Sequence, residues 1–186
     1  MQGSNIFLVG PMGSGKTAVG RQLARRLSMP FVDSDHEIEQ RTGVDIPLIF
    51  DKEGEDGFRR RESEIIDELT ARSGIVLSTG GGAVLWPDNR SRLRTRGVVV
   101  YLETSVADQA ARVSRSDNRP LLTGVDDIRA RLQDLMVARA PLYEEVAHLR
   151  VRTDGRRVQA VAREILQHLS ALTPTASAGA DRILPT

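Results

Sequence analysis

The chain has no cysteine, which excludes a disulfide framework and any thiolate nucleophile. Its three histidines, His36, His148 and His168, are scattered and supply no metal-ligand spacing. Charge of one sign is also lacking. The 26 basic residues are balanced by 25 acidic ones, for a formal net of +1. Bulk charge therefore engages neither nucleic acid nor a membrane surface. No long apolar run occurs near the start. Ile6-Phe7-Leu8-Val9 follows Met1-Gln2-Gly3-Ser4-Asn5, which carries no basic group, so neither a signal peptide nor a membrane span is expected. There is no internal repeat and no guanine-reading N-K-x-D. The expectation is a cytoplasmic, soluble monomer without nucleic-acid or membrane partners. At 186 residues and 40% apolar content, one domain with a real core is expected.

What is present starts with Gly10-Pro11-Met12-Gly13-Ser14-Gly15-Lys16-Thr17. This is G-x-x-x-x-G-K-[ST], a phosphate-binding loop, set between an apolar strand and a segment of helical spacing. Its glycines let successive N–H groups turn toward phosphate oxygens. The helix that follows adds unpaired N–H groups and the positive end of its dipole. Lys16 can reach the β and γ phosphates, and the Thr17 hydroxyl can ligate Mg2+. The loop alone does not separate kinases from GTPases, ATPases or transporters.

Strand-like runs are expected at Ile6–Val9, 30–32, 75–78, 98–102 and 149–151. Between them lie helices near 15–27, 36–41, 46–50, 58–72, 87–93, 105–113, 126–140 and 158–172. Gly54-Glu55-Asp56-Gly57 should break the chain between two helices, Gly97 should end one, and Pro141 should stop another. Alternating strands and helices predict an α/β three-layer fold, a parallel sheet flanked on both faces. Residues 114–124 are polar and irregular and are expected to form a mobile lid. Residues 173–186 are expected to be a disordered tail, leaving 1–172 as a single domain.

Phosphoryl transfer also needs a metal, a positioned acceptor hydroxyl and cations for the equatorial oxygens. The strand through Leu77 ends in Ser78 and not Asp, which weakens a motor ATPase or GTPase reading. Attention moves to Asp33 and Asp35 at the end of the second strand, where open α/β sheets bind ligands. The bland alternative is a helix N-cap plus a solvated carboxylate. Arg59, Arg60 and Arg61 point about 100° apart on a helix, so they cannot all face one ligand, and alone the run would read as a solvated face. Arg139 lies near a helix end, where it could equally answer the dipole. Gly80-Gly81-Gly82 after a buried strand lets a ligand approach the backbone. Trp86, Phe50 and Phe58 are expected mainly in the core, with Phe50 and Phe58 also open to a role in a pocket wall. His36 is expected on a helix surface.

Together, the phosphate loop, Asp33-Ser34-Asp35, Glu55–Glu62, Gly80-Gly81-Gly82-Ala83, Asn118-Arg119-Pro120-Leu121-Leu122 and Arg139-Ala140-Pro141-Leu142-Tyr143 resemble the shikimate kinase family from about Asn5 to Leu169. The resemblance implies a fold like the nucleoside monophosphate kinases, with a five-stranded parallel sheet and a substrate-binding subdomain at about 33–62. It implies transfer of the ATP γ-phosphate to the 3-hydroxyl of shikimate, toward chorismate and the aromatic amino acids. Catalytic roles would fall to Asp35, Lys16 and Arg119. Shikimate would meet Asp35, Arg59, Arg139 and the Gly80, Gly81 and Gly82 backbone, with Glu62 orienting Arg59. ATP would meet Gly13, Ser14, Gly15, Lys16, Thr17, Ala18, Arg112, Arg119 and Arg156. Mg2+ would meet Thr17 and, through water, Asp33. The rival readings are a kinase for gluconate or a nucleoside monophosphate, and a nucleotide-binding regulator without turnover.

Overall fold

The computed structural model describes residues 4–113, 120–122 and 125–171. The expected tail, Arg119 and all of the expected lid but 120–122 lie outside the described residues. Strand β1, Asn5–Val9, is buried along its whole length. Its side chains alternate between two apolar layers, Phe7 and Val9 on one face and Ile6 and Leu8 on the other. That is why a half-polar strand pattern is missing: both faces are covered.

The other strands are β2 (Phe31–Asp33), β3 (Val76–Ser78), β4 (Gly97–Glu103) and β5 (Leu149–Arg152). All pair in parallel in the order β2-β3-β1-β4-β5. β1 therefore lies between β3 on one side and β4 on the other. Its C-terminal end is the point where the winding changes direction, the ligand crevice of open α/β sheets. Loops after β2 and β3 flank that crevice on one side, and loops after β4 and β5 flank it on the other.

Helices α1 (Lys16–Leu27) and α7 (Val158–Ala171) cover the Ile6 face with Val19, Leu23, Val161 and Ile165. The Phe7 face is covered by α2 (Ser34–Thr42), α3 (Ile46–Ala71), α4 (Pro87–Arg96) and α6 (Ile128–Val146), through Ile38, Ile66, Leu69, Leu93, Tyr143 and Val146. Helix α5 (Val106–Val113) joins a smaller apolar cluster of Val113, Leu122 and Leu132, against which Met12 packs.

Several boundaries differ from the sequence expectation. The break in α3 is at Gly54 alone, with φ 69° and ψ −177°, while Gly57 stays helical. Pro141 lies inside α6 and does not stop it. The carbonyl that loses its amide partner belongs to Val137, which is 70% exposed, so water can replace the bond. Gly97 ends α4 as expected, as its C-cap, and also begins β4 opposite Asn5. A Cβ there would come within 2.6 Å of the Phe7 ring and 2.9 Å of Asn5, so it serves close strand packing. Helix α2 starts at Ser34, two residues earlier than expected, because the Asp33 side chain caps it. Trp86, expected in the core, is partly exposed just before α4.

One histidine is built into the sheet. His148 Nδ1 accepts the amide of Val99 at 3.0 Å, and the His148 amide donates to the Val99 carbonyl. Burial, aided by Arg94, holds this imidazole below its ordinary value of 6.5. The neutral ring is thus the folded form, and stability is expected to fall as pH drops through 6.5 toward the lower folded value. Thermal midpoints measured from about pH 8 to 5 should show this slope. His148→Asn keeps an acceptor without titrating and should flatten it. An unchanged slope would remove His148 as its source.

Candidate active site

The phosphate loop follows β1 directly. Gly13 and Gly15 sit at φ 77° and 89°, a region that a side chain would strain. Gly15 is the N-cap of α1, and no side chain caps this end. The first turn also holds no acidic residue, so its free amides and dipole face the crevice. Lys16 is nearly buried, and its ammonium donates to the carbonyls of Gly10 and Pro11, each at 2.8 Å. Ser14 is buried at the loop's centre, and Thr17 and Ala18 face the crevice.

Asp33 performs two tasks with its two oxygens. Oδ1 accepts the Asp35 amide at 3.2 Å as the cap of α2, and Oδ2 accepts the Thr17 hydroxyl at 2.8 Å. The cap and the ligand reading posed by the sequence are therefore compatible. Asp35 occupies the first turn of α2, where the dipole favours a negative charge.

Two cavities meet at this residue. A groove of about 780 Å3 runs along Gly13, Lys16, Thr17, Ala18 and Asp33. A smaller pocket of about 100 Å3 is bounded by Arg59, Glu62, Gly80, Gly81, Gly82 and Arg139, with Phe50 and Phe58 in its wall. Asp35 lines both.

Of the consecutive arginines, only Arg59 turns inward, being 5% exposed. It donates to Glu62 at 2.7 Å and to Glu55 at 2.9 Å, with its guanidinium 5.1 Å from the Phe58 ring centre. Arg61 pairs outward with Glu53, and Arg60 is exposed. Glu62 is buried, and burial pushes its carboxyl above the usual range, with Arg59 and then Arg139 opposing. Arg139 reaches this cluster from α6 and is as buried as Arg59.

The glycine stretch is packed against these groups. A Cβ on Gly80 would lie 2.6 Å from both Asp35 Oδ1 and Glu62 Oε1, and one on Gly82 would overlap the Arg59 guanidinium. Gly80 donates its amide to Ser34 Oγ at 3.0 Å. The Gly81 carbonyl accepts the Tyr143 hydroxyl at 2.5 Å.

On the other side of the loop, Arg112 donates to the Gly13 carbonyl at 2.9 Å and to the Thr153 carbonyl at 3.1 Å, and pairs with Asp108. Arg156 is not drawn to the phosphate loop by any of its hydrogen bonds. It pairs with Glu164 and donates to the Arg152 carbonyl. Sequence reasoning missed Met12 and Glu39, which line both cavities, and Ser34 and Tyr143, which hold the glycine stretch. Tyr143 had a signal: it lies four residues after Arg139 on one helix face. Met12 had none, since it fills a variable position of the phosphate loop.

Comparison with known proteins fits this geometry. The family model described as shikimate kinase matches residues 12–170. A shikimate kinase of Pasteurella multocida is 59% identical over 162 residues, covering 87% of this chain and 93% of the relative. One from Halorhodospira halophila is 58% identical over 166 residues, covering 89% and 93%. Among solved structures, shikimate kinase from Acinetobacter baumannii in complex with shikimate superposes with a TM-score of 0.89 at 51% identity, covering 91% and 94%. A gluconokinase from Sinorhizobium meliloti reaches 0.56 at 20% identity, which speaks for the fold alone. A phosphate loop at the switch point, a carboxylate shared by two cavities and relatives of this identity lead to one conclusion: the chain belongs to the shikimate kinase family, ATP-dependent kinases that act on an alcohol group.

Proposed function

We propose that this protein transfers the γ-phosphate of ATP to the 3-hydroxyl of shikimate, giving shikimate 3-phosphate for aromatic amino acid biosynthesis in the cytoplasm, and that it works as a monomer. The observation that carries this reading is Asp35, which lines both the phosphate-side groove and the small arginine-flanked pocket. A hydroxyl bound in the pocket and a phosphate bound in the groove would thus meet at one carboxylate. Residues 33–62 and the Gly80–Gly82 backbone serve the acceptor, within one domain spanning 1–172.

In this mechanism Arg59 and Arg139 grip the acceptor's carboxylate, a task suited to planar guanidinium forks. Glu62 and Glu55 hold Arg59 in place from behind. Asp35 accepts a hydrogen bond from the 3-hydroxyl and takes its proton as that oxygen bonds to the γ-phosphorus. The bond to the β–γ bridging oxygen breaks, and ADP leaves. Lys16 exchanges its contacts with the Gly10 and Pro11 carbonyls for phosphate oxygens. The loop amides hold the phosphates still, and positioning of this kind does most of the work in phosphoryl transfer. Arg112 flanks the nucleotide beside Gly13. The roles of Arg119, closing over the phosphates, and Arg156, near the adenine, extend this reading.

The residues fit Mg2+. The Thr17 hydroxyl and the Asp33 carboxylate are hard oxygen donors 2.8 Å apart, few enough to leave the ion most of its waters. When bound, the ion neutralises charge on the β and γ phosphates.

The test is ADP release at fixed Mg-ATP with and without shikimate. Strong stimulation is expected, and none would reject the reading. Gluconate and nucleoside monophosphates belong in the same panel, because a larger stimulation by either would reassign the acceptor. Gly82→Ala gives a sharper check. The added methyl displaces the Arg59 guanidinium, and a misplaced charged hydrogen bond costs about 1.5–3 kcal/mol. The KM for shikimate should rise about tenfold or more, with the KM for Mg-ATP unchanged. If both shift together, Gly82 is holding the fold and not the clamp.

A further inference from the structure

Asn89 is 2% exposed in the first turn of α4. An amide buried this deeply costs free energy unless its oxygen and its NH2 both find partners. Here both do. Nδ2 donates to the Ala83 carbonyl at 3.1 Å. Oδ1 accepts the Ser63 hydroxyl at 2.8 Å and the Arg92 guanidinium at 3.3 Å. Reversing the amide would set its NH2 against that guanidinium, so chemistry fixes the assignment. The partners belong to two parts of the acceptor site. Ala83 directly follows Gly82, where a Cβ would overlap the Arg59 guanidinium. Ser63, itself buried, directly follows Glu62 and stands one helical turn beyond Arg59 on α3. The contacts therefore close into a ring that runs from Asn89 through Ala83, Gly82, Arg59 and the α3 turn to Ser63 and back. The next residue of α4 extends the hold, since Arg90 donates to the Val84 and Leu85 carbonyls.

We propose that Asn89 is a positioning residue of the acceptor site, tying the Arg59 turn of α3 to the end of the glycine strip so that carboxylate grip and pocket floor keep a fixed separation. This rests on the reading of Arg59 as a carboxylate clamp. Asn89 does not line the acceptor pocket, and its effect passes through Arg59.

Asn89→Asp opens the ring at one bond. It removes the donor to Ala83 while keeping an acceptor for Ser63 and Arg92, and a carboxylate in the first turn suits the helix dipole. The KM for shikimate should rise about tenfold, the equivalent of one buried hydrogen bond. The KM for Mg-ATP should stay within about twofold, as expected of a residue that acts on one substrate only. In an Arg59→Ala background the same change should add less than about twofold, because the group it positions is gone. A full tenfold effect in that background, or equal losses for both substrates, would overturn the proposal. So would a lowered thermal midpoint with both KM values unchanged, which is the signature of a purely structural amide. If Arg59→Ala alone leaves the shikimate KM unchanged, the clamp reading fails and takes this proposal with it, a result distinct from the others. Ser63→Ala covers the case in which Asn89→Asp does not fold. It opens the ring at its other side and should raise the shikimate KM about threefold with the KM for Mg-ATP unchanged. No rise in folded Ser63→Ala would equally refute the coupling.

Discussion

Asp35→Asn is expected to lower kcat by about a thousandfold while both substrates still bind. Removing a positioned proton acceptor costs about 10²–10⁴ in rate, and asparagine keeps the size and hydrogen-bonding shape of the side chain. The charge also sits in the first turn of α2, where a favourable dipole interaction contributes about 0.3–1 kcal/mol. The thermal midpoint should therefore drop by only a few degrees. Rapid-quench turnover with a parallel melting curve separates the two effects. Near-normal turnover in a folded variant would take Asp35 out of the proton transfer.

Arg139→Ala is expected to raise the Kd for shikimate about a hundredfold and to leave nucleotide affinity nearly intact. A buried guanidinium fork makes two charged hydrogen bonds, each of about 1.5–3 kcal/mol. Stability should suffer as well. Glu62 is buried between Arg59 and Arg139, and removing one cation from a buried cluster is destabilising by up to about 3–5 kcal/mol. Titration calorimetry with shikimate and with Mg-ADP, run below the lowered midpoint, distinguishes the contributions. Equal weakening of both ligands would contradict the assignment of Arg139 to the acceptor side.

Arg59, Arg60 and Arg61 illustrate how much of the site could be read in advance. Helical geometry alone required them to diverge, and they do: one is buried against Glu62, one is exposed, and one pairs outward with Glu53. Which one faces inward depended on Phe58, Ile65, Ile66 and Leu69, whose spacing defines the buried stripe. Arg156, given a nucleotide role by family likeness, rests against Glu164, eight residues later on α7. A local charge pair of that kind leaves no periodic trace. Pro141 misled: it is a breaker by local propensity, yet it is tolerated inside α6, where Val137, four residues earlier, is 70% exposed.

The amino-acid sequence by itself determined the phosphate loop, the parallel sheet and the family, because these depend on local backbone demands and on apolar runs that bury both strand faces. Only the tertiary structure decided that Asp35 borders two cavities, that Ser34 and Tyr143 hold the glycine floor, and that Arg59 and Arg139 line one pocket with Glu62. Those relations join residues tens of positions apart, and only the packing of the helices on the sheet brings them together.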